Sequence, residues 1–210
     1  MFNKLKGFFM HRDQELRDNR WLFITILVFA TISLAAAFVL SVEAWQLAGN
    51  PNATFECSVN AVINCGTVAK SSYATMLGFP NSFIGLMSEP TFVLLAILLL
   101  IGVKLPKKLM FAIQIMASGA LVFAFYLFYI STAIIGALCP WCMSVLLSTI
   151  VVFFAITKYN IRCENLYLPK NISKKLIDFI KRDYDKLLLA LVVLAITVII
   201  VVKYGSSLFA

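Results

Sequence analysis

Apolar residues fall into five long runs, and charged residues gather between them. A helix needs about 20 apolar residues to cross a bilayer core. The runs Trp21–Ser41, Phe83–Val103, Leu109–Thr132, Pro140–Thr157 and Leu187–Val202 reach or approach that length. Only the second is interrupted, by Ser88-Glu89-Pro90. None shows the period-two alternation of a membrane β-barrel. All five are therefore predicted as helices, which satisfy their own backbone in lipid. The first run exceeds the apolar core of a signal peptide, about 7–15 residues. It reads as a retained anchor, although Val42-Glu43-Ala44 faintly resembles a cleavage site. Two shorter elements are expected. Gly66 to Leu77 reads as a helix stopped by Gly78 and Pro80. Lys174 to Lys186 reads as an amphipathic helix with Leu176, Ile177, Ile180 and Tyr184 facing lipid.

Composition narrows the class. Of 210 residues, 61% are hydrophobic and 13% charged, against about half and a quarter in soluble domains. That excludes a soluble domain, a disordered chain and a secreted mini-protein. The net charge of +8 does not indicate a nucleic-acid binder, because the basic residues flank the apolar runs. Lys4, Lys6, Arg12, Arg17 and Arg20 precede the first run, and Lys104, Lys107 and Lys108 separate the second from the third. Lys158, Arg162, Lys170, Lys174, Lys175, Lys181, Arg182 and Lys186 precede the fifth. Only Lys70 and Lys203 of the 18 basic residues fall on the other side. The positive-inside rule then places the N-terminus in the cytoplasm and segments 42–82 and 132–139 outside. The chain divides into a cytoplasmic head (1–20), a four-helix unit (21–157, outer loop 42–82), a basic connection (158–186) and a fifth helix with its tail (187–210).

Four of five cysteines, Cys57, Cys65, Cys139 and Cys142, fall on the outer, oxidising side, where disulfides persist. Cys163 falls on the cytoplasmic side and reads as an idle thiol. Cys139-Pro140-Trp141-Cys142 opens the fourth run. Proline suits the first helical position. Cys139 then sits near the N-cap, where the dipole and free N–H groups favour a thiolate. Cys142, three residues on, is close enough to form and release a disulfide with it. Cys57 and Cys65 are eight residues apart, about 12 Å on a straight helix, whereas a disulfide needs Cα atoms within about 7 Å. If they pair, the segment bends, and Asn60 and Asn64 are placed to help. Closing so short a loop contributes about 3 kcal/mol at most, which suits a shuttle better than a structural staple.

Taken together, Cys57-x7-Cys65, Ser71, Asn81-Ser82-x-x-Gly85 at the second span and Cys139-Pro140-Trp141-Cys142 at the fourth resemble the vitamin K epoxide reductase family. The resemblance covers about residues 15–160. It implies an all-α membrane protein: a four-helix bundle around a quinone, menaquinone or ubiquinone, capped by an outer loop with a half-helix. A fifth helix and no fused thioredoxin-like domain point to a branch of the bacterial cell membrane. Its partner is expected to be a separate thioredoxin-fold disulfide carrier. The resemblance implies that Cys142 faces the quinone and Cys139 exchanges with the loop. Cys65 then trades with Cys139, and Cys57 meets the partner. Asn81 matches the position that hydrogen-bonds a quinone carbonyl, and Ser71 the loop serine. Leu146 stands where the human enzyme has a tyrosine, and Ala69 where a loop phenylalanine approaches the ring. These departures bear on epoxide reduction and leave quinone reduction in place.

The residues point to the same acceptor. There is no dinucleotide glycine pattern and no haem motif, and the single histidine, His11, is in the cytoplasmic head. Asn81 also suits a helix N-cap. Phe125 and Tyr129, one turn apart, are candidate walls of a quinone pocket, although an interfacial aromatic belt accounts for the same cluster. Glu89 sits about 12 Å into the second span. It is a functional candidate, or a glutamate bonded to a carbonyl freed by Pro90. Two rival readings remain open: a four-cysteine metal site, and a transport or scaffold protein with two inert disulfides.

Overall fold

The computed structural model describes residues 14–208, with side chains from 18 to 205. Most of the basic head, including Lys4, Lys6, His11 and Arg12, lies outside the described residues. Among the described residues, five helices are long and apolar enough to span a membrane. They are α1 (Gln14–Gly49), α3 (Ser82–Leu100), α4 (Lys107–Tyr129), α5 (Pro140–Arg162) and α7 (Tyr184–Leu208). Among the described residues there are also two short α-helices, α2 (Cys65–Ala69) and α6 (Lys170–Lys181). Helix α1 packs along α3 and α5, and α4 along α5, forming a four-helix bundle. Helix α7 lies outside it against α5 and α6.

The two halves of the bundle differ. Phe23, Ile26 and Ala30 of α1 meet Phe92, Leu95 and Leu99 of α3, Met110 and Ile113 of α4, and Val152 and Ile156 of α5. These stretches all lie toward the N-terminal end of α1, so that half is a solid apolar core. Polar side chains there satisfy one another. Asn160, fully buried, donates to Gln114 Oε1 at 3.0 Å, Gln114 donates to Thr157 at 2.9 Å, and Asn165 donates to Asn160 at 3.0 Å. The half nearer the cysteine loop keeps a cavity.

Several boundaries differ from the sequence expectation. Helix α1 runs to Gly49 rather than ending at Ser41, because no helix breaker occurs before Gly49-Asn50-Pro51. The loop therefore begins at 50, and Glu43 is a helical residue. The expected helix from Gly66 to Leu77 is broken into α2 and a single 3₁₀ turn, Ser72–Thr75. Ser71 separates them with an extended backbone (φ −70°, ψ 148°), its hydroxyl donating to Val68 O at 2.7 Å. A serine that bonds its own backbone competes with helix continuation. The amphipathic helix starts earlier, at Lys170, and ends at Lys181, where Asp183 turns left-handed (φ 58°). Ile180 is buried against protein rather than facing lipid, and Tyr184 opens α7. Ile172 and Phe179 are the large apolar residues this helix exposes.

Candidate active site

The loop pair forms because its asparagines bend the chain. Asn60 Oδ1 accepts from Val62 N at 2.9 Å and Ile63 N at 2.7 Å, which turns the backbone just after Ser58. Asn64 Oδ1 accepts from Thr67 N at 2.9 Å and caps α2. Between these turns the Cα atoms of Cys57 and Cys65 come to 5.6 Å and their sulfurs are bonded. Pairing removes two ligands from a four-thiolate metal centre.

A short parallel bridge then brings the two cysteine pairs together. Leu138 N donates to Val62 O at 2.7 Å, and Asn64 N to Leu138 O at 3.0 Å. The segment that ends in Cys139 is thereby stitched to the segment that ends in Cys65. It reaches this place through one wide π-helical turn, Ile130–Ile135, closed by Gly136 in the left-handed region (φ 76°). Cys65 and Cys139 are both buried in one cluster with Phe55, and Cys57 and Cys142 pack on it.

Cys139 is the N-cap of α5, with Pro140 in the first helical position. Its sulfur accepts from Cys142 N at 3.4 Å. The Cys142 thiol bonding to it holds Cys139 below the ordinary thiol range, backbone N–H groups of Cys142 and Trp141 add to this, and burial opposes it. Cys139 and Cys142 are both free thiols. One pair is thus oxidised and the other reduced, with Cys65 and Cys139 packed together between them.

Behind the pairs lies an apolar cavity of about 460 Å³, within the range of small-molecule sites. Cys65, Cys139 and Cys142 all border it; so do Ala37 and Leu40 of α1 and Gly85 of α3. Asn81 and Ser71 also line it. Asn81 sits where α3 begins but does not cap it. Its Nδ2 instead donates to Tyr73 O at 2.7 Å, which leaves Oδ1 buried without a partner. Glu89, the one acid in the lining, accepts from Ser33 Oγ at 2.8 Å rather than bonding a carbonyl.

Phe125 and Tyr129 lie elsewhere. Helix α4 turns Ala120, Phe123, Ala124, Leu127 and Phe128 to the cavity. Phe125 packs with Leu146, Ile150 and Ile196, toward α7, and Tyr129 is 60% exposed. At about 100° per residue, one-turn spacing identifies a stripe but not which stripe faces inward.

Sequence reading passed over Glu43. It is buried, and Oε1 lies 3.2 Å from Cys57 Sγ. A signal existed: between Arg20 and Glu56, Glu43 is the only charged residue.

A helical membrane bundle with one closed and one open cysteine pair beside an apolar cavity fits a membrane-embedded oxidoreductase of thiols and disulfides. The vitamin K epoxide reductase family model matches residues 24–157, well over half the chain, and the protein belongs to that family. No curated protein matches the chain.

Proposed function

We propose that the protein makes disulfides with a quinone as acceptor and passes them to a thioredoxin-fold carrier. The observation that carries the reading is that Cys65, Cys139 and Cys142 border a single apolar cavity. A lipid-soluble acceptor fits those walls, and the unpartnered Asn81 Oδ1 gives it a polar anchor. A quinone bound there supplies an acceptor for two electrons and two protons. Cys139 and Cys142 release them as they close their disulfide. Asn81 orients the ligand, and its own amide is fixed by the bond to Tyr73 O. The Cys65 thiolate then attacks Cys139, and Cys142 leaves as a thiolate. Cys57 attacks Cys65 next, which releases Cys139 and restores the loop disulfide. A carrier thiolate takes that disulfide at Cys57, which is partly exposed where Cys65 is buried. The charge split supports an orientation with the cysteine end outside and Cys163 in the cytoplasm, and the resemblance to the family's bacterial branch supports a bacterial cell membrane.

The test is purified protein given a reduced thioredoxin and a short-chain ubiquinone or menaquinone analogue. Quinone loss and thioredoxin disulfide should rise one for one. Oxidation of thioredoxin that proceeds equally well without quinone would exclude the acceptor.

A further inference from the structure

We propose that Glu43 is a catalytic residue, the proton acceptor for Cys57 when the loop disulfide is remade. The inference rests on the relay described above. Three observations carry it. Glu43 is buried on α1, and its Oε1 lies 3.2 Å from Cys57 Sγ. Its second oxygen, Oε2, is buried with no partner. Its carboxylate and the sulfurs of Cys57 and Cys65 all lie within 4.8 Å of one another. While the disulfide is closed, Cys57 carries no proton to donate, so the carboxyl is held against a sulfur that becomes a thiol only when the bond opens. A buried carboxyl with an unsatisfied oxygen costs stability, which a role in the exchange at Cys57 accounts for.

The step begins with the Cys65–Cys139 mixed disulfide, the Cys57 thiol and the Glu43 carboxylate. As Cys57 Sγ attacks Cys65 Sγ its proton passes to Glu43, the Cys57–Cys65 bond forms, and the Cys65–Cys139 bond breaks. Cys139 leaves with the electron pair as a thiolate, and the Glu43 proton passes to it or to water. Cys57 and Cys65 together are oxidised by two electrons, and Cys139 and Cys142 are reduced by two. The reverse transfer, from Glu43 to Cys57, serves when a carrier opens the loop disulfide.

An ordinary thiol of pKa about 8.5 is only a few per cent ionised at pH 7. A carboxylate is too weak a base to ionise such a thiol beforehand, so Glu43 takes the proton as the S–S bond forms, general-base help worth about 10²- to 10⁴-fold in rate. The experiment uses the full chain in detergent or nanodiscs, with reduced thioredoxin and a short-chain quinone, acid-quenched during turnover and mapped for disulfides. Glu43→Gln keeps the shape and removes the acceptor. Turnover should fall about 100-fold or more, and the Cys65–Cys139 mixed disulfide should accumulate above its wild-type level. Glu43→Asp keeps a carboxylate further from the sulfur and should fall between the two. Wild-type turnover in E43Q overturns the proposal. So does a slow E43Q without the mixed disulfide, or equal rates in E43D and E43Q, since either means the side chain contributes shape alone. Failure of the relay itself looks different: wild-type protein would then not couple thioredoxin to quinone at all.

Discussion

At the scale of single residues, small polar side chains decide where the sulfurs go. Without Asn60 and Asn64, the eight-residue separation of the loop cysteines has no reason to close. Both asparagines were legible as bending residues, because an Asx side chain that bonds backbone N–H groups works at short range. The Cys139 N-cap was legible for the same reason, since Cys-Pro carries its helix start with it. The bond that fixes Asn81 was not, because the carbonyl it reaches belongs to Tyr73, across a turn that sequence reading drew as helix. Asn64→Ala should remove the α2 cap and cost about 1 kcal/mol, lowering the melting temperature. It should also slow Cys65–Cys139 exchange by loosening the turn that leads into Cys65. Asn64→Asp keeps the acceptor and should retain both properties. Thermal unfolding and quenched-flow disulfide mapping of the pair check this, and equal behaviour of the two variants would deny the cap its role.

At the scale of elements, the five spans were legible because apolar length is a property of the sequence alone. Their ends and faces were not. Helix α1 continues past the expected end because lipid thickness does not stop a helix; a breaker does, and the first is Gly49. The inward face of α4 depends on α1, α3 and α5, so Phe125 and Tyr129 could not be told from Phe123 and Phe128 by spacing. One contact between elements is tight enough to test. A Cβ at Gly85 of α3 would come within 2.9 Å of Ala37 Cβ on α1, closer than real Cβ atoms approach. Both residues line the cavity. Gly85→Leu should therefore separate α1 and α3 at a cost of about 1–3 kcal/mol. It should also raise the KM for a quinone analogue more than it lowers kcat, because the cavity wall moves and the cysteines do not. Thermal unfolding and steady-state kinetics with dithiothreitol as donor give both numbers, and an unchanged KM would separate this wall from the quinone.

At the scale of the molecule, α5 ties the chemistry to the membrane. Cys139 is its N-cap and Cys163 its C-cap, and 23 helical residues span about 35 Å, roughly a bilayer core. Impermeant maleimide applied to intact cells after reduction should label Cys57 and spare Cys163, although Cys163 is the more exposed thiol in the protein. Labelling of Cys163 alone would turn the molecule over. The same axis separates the work of the two pairs. Cys142 borders the cavity and Cys57 does not; Cys57 is partly exposed in the loop. On the proposed relay a folded carrier reaches only the loop, whereas a small dithiol can reach Cys139–Cys142. Cys57→Ser and Cys65→Ser should therefore abolish oxidation of reduced thioredoxin while dithiothreitol still reduces quinone. Cys139→Ser and Cys142→Ser should abolish both. Two inert disulfides predict no such split, because losing either would only lower stability by about 3 kcal/mol. A shared metal centre predicts that all four variants behave alike. Full activity of Cys57→Ser on thioredoxin would show that the carrier enters the relay at Cys139, and that the loop pair, with Glu43 beside it, serves structure alone.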